Sequence, residues 1–219
     1  MKKFFNILTE TEIFKGILSE ELKDIMQCLN AKIISYEKDS IVLSEGEPAN
    51  SIGIVISGKI YVIKEDYYGN RSIMAKCSQG EIFGEVFCCS GIKSIPVSVF
   101  TAEKSEIMFL NFKNILTPCD KHCKFHNRII ANLLNIVSEK ALFLNQKIDI
   151  LSKRTTREKL LAYLSAQAKQ ANSSMFTIPF NRQELADFLC VERSAMSAEL
   201  SRMQRDRIIE FKKSQFKLL

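Results

Sequence analysis

The sequence predicts an α+β protein in two parts. A glycine-turned antiparallel β jelly roll comes first, then one long helix, then a small winged helix-turn-helix unit. Three observations predict this. All eight glycines fall within the first 91 of 219 residues, between short runs of β-branched and aromatic residues. A heptad series of apolar residues runs from Ile130 to Leu151. Residues 152–219 hold 13 basic and 7 acidic side chains, while residues 1–151 hold 18 of each, so the whole net charge of +6 sits at the C-terminal end. The expected domains are a sensing β roll with N-terminal helices over residues 1–118, a long dimerisation helix over 119–151, and a DNA-binding unit over 152–219.

The start of the chain does not read as a secretion signal. The apolar stretch at residues 4–8 is too short for one and runs directly into Thr9-Glu10-Thr11-Glu12. No apolar run approaches the ~20 residues that span a bilayer. A cytoplasmic, non-membrane protein is therefore expected, and an odd count of seven cysteines fits free thiols in a reducing compartment. The first ~30 residues read as helical, with Leu22, Ile25, Met26 and Leu29 on one face. Short strands are then expected at 40–43, 52–56, 59–64, 72–77, 97–100 and 107–110, with turns at Gly46, Gly58, Gly69 and Gly80.

In the long helix, Ile130, Leu134, Val137, Ala141, Leu144, Ile148 and Leu151 alternate steps of four and three, which defines a and d positions. Ile129, Leu133, Ile136 and Phe143 widen the stripe on one side, so one face can cover the β domain while the seam meets a second copy. Packing of the whole helix within one chain is the alternative. Beyond Ser152, Thr155 and Glu158 form a capping box, and Leu160, Leu161 and Leu164 give a buried face. A strand is expected at 176–180, and a hairpin at 208–219 carries Lys212 and Lys213 near its turn.

The segment 181–205 reads as two short helices. Asn181 and Glu184 form a second capping box, Leu185, Ala186 and Leu189 face inward, and the periodicity breaks at Cys190-Val191-Glu192. Met196, Leu200 and Met203 then face inward on a second helix, leaving Arg193, Ser194, Ser197, Arg202 and Arg205 on its outer side. A surface helix pair in any helical domain has the same local pattern. The basic surplus confined to this end favours a helix-turn-helix that places its second helix in the major groove of double-stranded DNA.

The sulfur and imidazole side chains form two groups, Cys88-Cys89 and Cys119, His122, Cys123 and His126. Ordinary thiols are the first reading; a redox switch, or a metal or haem site, are the alternatives. His122 and His126 are the only histidines, and no nucleophile elbow, phosphate-binding loop or zinc-protease motif is present, so no enzyme is expected.

The order of parts, together with Gly46, Gly58, the run Gly80-Glu81-Ile82-Phe83-Gly84-Glu85, and Arg182-Gln183-Glu184-Leu185-Ala186 leading into Arg193-Ser194, resembles the CRP/FNR superfamily of bacterial transcription regulators across essentially the whole chain. The resemblance implies a cyclic-nucleotide-binding-like roll and a homodimer gated by an effector. It also implies a palindromic operator and RNA polymerase as partner. Base reading falls to Arg193, Ser194 and Ser197, and phosphate contacts to Arg182, Arg202, Lys212 and Lys213. Ser194 and Ala198 stand where family members often carry glutamate and a second arginine, so a different operator is implied. The effector pocket maps onto Gly84, Glu85, Lys93 and Ser94. The family's phosphate-binding arginine is missing there, so cAMP is not expected and the effector stays unknown. The N-terminal cysteines of the iron–sulfur members are also absent, since Cys28 alone precedes Cys77. The alternative function is a redox- or metal-responsive sensor with weak or degenerate DNA binding.

Overall fold

The computed structural model describes residues 7–69, 71–117 and 125–219. The chain divides into two compact units, 1–139 and 140–219, and the division falls inside the long helix.

The first unit is built on two four-stranded antiparallel sheets. Its strands are β1 (Lys32–Tyr36), β2 (Ile41–Leu43), β3 (Ser51–Ser57), β4 (Lys59–Glu65), β5 (Arg71–Ser78), β6 (Ile82–Phe83), β7 (Ser98–Thr101) and β8 (Ser105–Asn111). The sheet orders are β1-β8-β3-β6 and β2-β7-β4-β5. Strand alternation sorts the side chains into two cores. Val42, Val55, Ile60, Val62, Val99 and Ile107 fill the roll interior. Ile52, Ile54, Ile56, Met108 and Leu110 point out of the other face and belong to a second cluster. That cluster is completed by Ile13, Phe14, Leu22, Ile25 and Leu29 from the N-terminal segment, which holds α1 (Leu22–Cys28). β3 is therefore buried on both faces, as its unbroken apolar centre requires. Gly53 is obligatory there: a Cβ would stand 2.1 Å from the Phe83 ring, which lies against it from the paired strand β6. Two shorter helices follow in the roll, α2 (Glu85–Ser90) and α3 (Phe112–Leu116).

The long helix α4 spans Phe125–Leu151. Ile129, Leu133 and Ile136 are buried in the second cluster of the roll, as the widened stripe predicts, and Ile130 is half-buried against the same cluster. Phe143 departs from that expectation. It is exposed, lies in the same unit as Phe188, and meets that ring with centroids 6.2 Å apart. Of the expected seam, Leu134, Ala141, Leu144 and Ile148 are exposed, while Val137 and Leu151 are half-buried.

The second unit contains α5 (Thr156–Ala171), β9 (Met175–Thr177), α6 (Arg182–Leu189), α7 (Arg193–Arg205), β10 (Ile209–Lys212) and β11 (Gln215–Leu218). Its core joins Leu160, Leu164, Leu185, Leu189, Met196, Leu200, Met203 and Phe216, with Ile150 from the end of α4. The three strands form an antiparallel sheet in the order β10-β11-β9. Both expected capping boxes are formed. Glu158 N donates to Thr155 Oγ1 (3.2 Å) while Thr155 N donates to Glu158 Oε2 (3.0 Å). Glu184 N donates to Asn181 Oδ1 (3.0 Å) while Asn181 N donates to Glu184 Oε2 (2.7 Å).

Candidate nucleic-acid interface and effector region

Helices α6 and α7 meet through a turn of three residues. Cys190 is left-handed (φ 51°, ψ 54°), which lets its N–H reach Asp187 O (3.2 Å) and the Val191 N–H reach Ala186 O (3.0 Å). A non-glycine residue in this region costs about 1–2 kcal/mol, offset here by the buried packing of Ala186 and Leu189 on Met196 and Leu200. Glu192 then caps α7. Its carboxylate accepts from Ser194 N (3.0 Å), Ala195 N (2.8 Å) and the Ser194 hydroxyl. These bonds, the Ser194 hydroxyl foremost, hold the Glu192 carboxyl below its usual range. A negative charge at this end also meets the positive pole of the helix.

The three base-reading candidates sit together on the first turns of α7 but are not equivalent. Arg193 is exposed and its side chain makes no polar contact among the described residues. The Ser194 hydroxyl is already given to Glu192. The Ser197 hydroxyl donates back to Arg193 O (2.9 Å), which leaves only its lone pairs for a base edge.

The phosphate candidates also separate. Lys212 and Lys213 are exposed at the β10–β11 turn. Arg182 is half-buried beneath that turn. Its guanidinium lies 4.9 Å from the Phe211 ring centroid and 5.2 Å from that of Phe216, and Nη2 donates to Lys213 O (3.0 Å). Burial pushes its pKa down from the ordinary arginine value. Arg182, expected as a phosphate anchor, braces the wing in this structure. Ile178 N and the Ser214 hydroxyl pin the same turn, donating to Ser214 O (2.9 Å) and Phe180 O (3.3 Å) respectively. Arg202 is exposed but leans on Glu199 (3.3 Å).

In the roll, Gly84 is left-handed (φ 82°) and opens α2. Glu85 is 2% exposed, whereas Lys93 and Ser94 are exposed on the loop before β7, so the four pocket candidates divide between interior and surface. Cys88 is buried on α2. Burial, then the neighbouring Cys89 and Glu85, pushes its thiol up to about 11. Cys89 is exposed and is pushed up by the same two causes, burial and Glu85. Cys119, His122 and Cys123 lie outside the described residues. His126 is buried, stacked on Phe125, with Nε2 3.1 Å from Asn114 O and 3.7 Å from Cys28 Sγ. Among the described residues no three His, Cys, Asp or Glu side chains are gathered as a metal site, and no helix is long and apolar enough to cross a membrane.

The cyclic nucleotide-binding domain family matches residues 33–122, and the Crp-like helix-turn-helix domain family matches residues 158–219. The chain belongs to the CRP/FNR superfamily. Among solved structures, the catabolite activator protein of Thermus thermophilus is 18% identical, with 95% of this chain and 94% of that one covered at a TM-score of 0.56. The c-di-GMP responsive regulator CLP of Xanthomonas campestris is 17% identical over 92% of this chain and 99% of its own, also at 0.56. The DNR sensor domain of Pseudomonas aeruginosa matches 68% of this chain and 93% of its own at 16% identity and 0.52. At such identities these likenesses speak for the fold. Rice potassium channel KAT1 (26% identical) and glutaminase 1 of Bradyrhizobium diazoefficiens (25% identical) align over 60% and 66% of this chain. The chain spans only about a fifth of the length of these curated relatives, 18% and 22%.

In this CRP/FNR chain, two residues with structural contacts to α7 are passed over by sequence reasoning. Glu192 looks like a turn residue because glutamate is not a favoured N-cap. Arg157 looks like an ordinary charge in the first turn of α5, yet it contacts α7. No local pattern in the sequence announces either.

Proposed function

We propose that this CRP/FNR chain is a transcription regulator that binds a palindromic operator as a homodimer and is gated by a small-molecule effector in its β roll. The observation that carries the reading is Arg193. It stands exposed and uncommitted at the start of α7, while Arg182 and Arg202 on the same domain are engaged. A guanidinium so placed suits a bidentate contact to a guanine edge, worth ~1–3 kcal/mol of discrimination. Lys212 and Lys213, presented by a braced wing, suit phosphate contacts that position the helix without specifying sequence. The exposed Leu134, Leu144 and Ile148 support a two-stranded seam, and a two-fold dimer sets its recognition helices about one DNA turn apart, ~34 Å.

The effector is a molecule other than cAMP. A cyclic phosphate needs a buried guanidinium fork, and the segment Lys93-Ser94-Ile95-Pro96-Val97-Ser98 offers only an exposed lysine. Effector binding shifts the packing of the roll on α4 and so the spacing of the two reading heads, with RNA polymerase as the downstream partner and the cytoplasm as the setting. The test is selection from a random duplex library with the full chain. Enrichment of an inverted repeat supports the proposal; sequence-blind binding that salt erases overturns it. Calorimetry with cAMP showing micromolar binding overturns the effector statement alone.

A further inference from the structure

Helix α7 of the proposed DNA reader carries a largely buried acidic residue. Glu199 sits three residues before the phosphate candidate Arg202, and a carboxylate there opposes the approach of a polyanion. The structure shows how it is neutralised. Glu199 is 13% exposed and accepts from two guanidinium groups, Arg202 Nη1 at 3.3 Å through Oε2 and Arg157 Nη1 at 3.4 Å through Oε1. Arg157 is fixed in turn by a short bond from Nη2 to Asp206 Oδ2 (2.7 Å), at the C-cap of the same helix. Two carboxylates and two guanidinium groups thus form a balanced cluster, and Arg157 holds its centre from the first turn of α5.

We infer that Arg157 is a positioning residue for DNA binding: by neutralising Glu199 it frees Arg202 to leave the cluster for a phosphate. The inference rests on the DNA-binding reading above. Exposed ion pairs are weak, so a phosphate can draw Arg202 away only if Glu199 keeps another partner. Arg157 is that partner, because Asp206 anchors it independently of DNA. Without Arg157, departure of Arg202 strands a largely buried carboxylate beside the phosphates, and Arg202 stays paired within its own helix.

The experiment measures operator affinity against salt for the full chain and for Arg157→Gln, Arg202→Gln, Glu199→Gln and the pair Arg157→Gln/Glu199→Gln. Each phosphate contact contributes about 0.9 to the slope of log K against log salt. Arg202→Gln and Arg157→Gln should each lower the slope by about that amount and leave the ratio of operator to random-DNA affinity unchanged. Adding Glu199→Gln to Arg157→Gln should restore the wild-type slope, which a merely structural role for Arg157 would not do. An Arg157→Gln slope equal to wild type, or no restoration in the double variant, overturns the inference. A wild-type chain that binds no duplex in a salt-dependent way overturns the DNA-binding reading itself.

Discussion

Truncating the exposed seam of α4 should convert a dimer into a monomer without harming the fold. Leu144 is 55% exposed and Ile148 is 65% exposed in the single chain, so most of each side chain is available to be covered by a partner. At ~0.8 kcal/mol per buried methylene, Leu144→Ala forfeits about 1.3 kcal/mol and Ile148→Ala about 1.6 kcal/mol of seam burial per protomer. Both changes occur twice in a two-fold dimer, so the double variant loses about 6 kcal/mol, roughly four decades in Kd. Sedimentation velocity across a concentration series reads this directly. The wild type should sediment as a dimer at micromolar concentration and the double variant as a monomer. Helicity by circular dichroism should change little, because neither side chain belongs to a core cluster. A wild-type monomer, or a double variant whose dimer dissociates at the same concentration as wild type, would refute the seam.

The other predictions concern single sites. Arg193→Ala should relax preference at one base pair of each half-site by ~1–3 kcal/mol, while Lys212→Ala should weaken all duplexes alike; binding to a panel of single-base operator variants separates the two. Gly53→Ala should destabilise the roll by ~1–3 kcal/mol through overpacking on Phe83, with partial recovery when Phe83→Leu is added, read by chemical unfolding. Glu158 and Glu192 both titrate below the usual carboxylate value of 4.5, Glu158 chiefly because it accepts the Thr155 backbone N–H and Glu192 chiefly because it accepts the Ser194 hydroxyl, with backbone N–H groups of Ser194 and Ala195 adding to it. Their contribution is complete above that value and is lost as pH falls through their lowered folded pKa, so acid unfolding of Glu158→Gln/Glu192→Gln should be less steep than wild type below pH ~4.5. Iodoacetamide at pH 8 should label exposed Cys190 well before Cys88, whose thiol burial pushes up to about 11, and mass spectrometry of timed digests gives the order.

Legibility in the sequence followed the range of the interactions. Both capping boxes were readable because each is complete within four residues and names its own chemistry: Thr155 with Glu158, Asn181 with Glu184. The inward faces of α6 and α7 were readable for the same reason, since Leu185, Leu189, Met196, Leu200 and Met203 repeat at the helical period. Of the stripe on α4, Ile129, Leu133 and Ile136 took the expected place. Phe143 did not, because periodicity states which residues share a face but not which neighbour meets that face. Four elements of the roll, β1, β6, α2 and α3, were not expected from the sequence. β1 is an edge strand with exposed residues along most of its length, and α2 is too short to show a period. In the candidate site, the exposure of Arg193, Lys212 and Lys213 was legible from charge and position. The engagement of Arg182 with Phe211 and Phe216, and of Arg157 with Glu199, joins residues about 30 to 40 positions apart, and such pairs exist only once the domain is folded.

The distribution of these contacts bears on where gating acts in the proposed regulator. Helix α7 is fixed at every level: a carboxylate cap at its start, three buried side chains along its inner face, and Arg157 on its middle and end. Reorienting it within its domain would break several contacts at once, each of order 1 kcal/mol or more. The wing is equally constrained, with its turn held by Arg182, Ile178 and Ser214. By contrast, Leu134, Leu144 and Ile148 of α4 are exposed in the single chain, and in the proposed dimer a second chain would supply the other half of that seam. An effector with a few kcal/mol of differential affinity can shift a seam of that size, but it gains nothing by distorting a reader that opposes distortion at each contact. On the proposed dimer, gating would therefore act on the spacing of two rigid reading heads, and an effector should change operator affinity while leaving the preference at the base pair proposed for Arg193 unchanged.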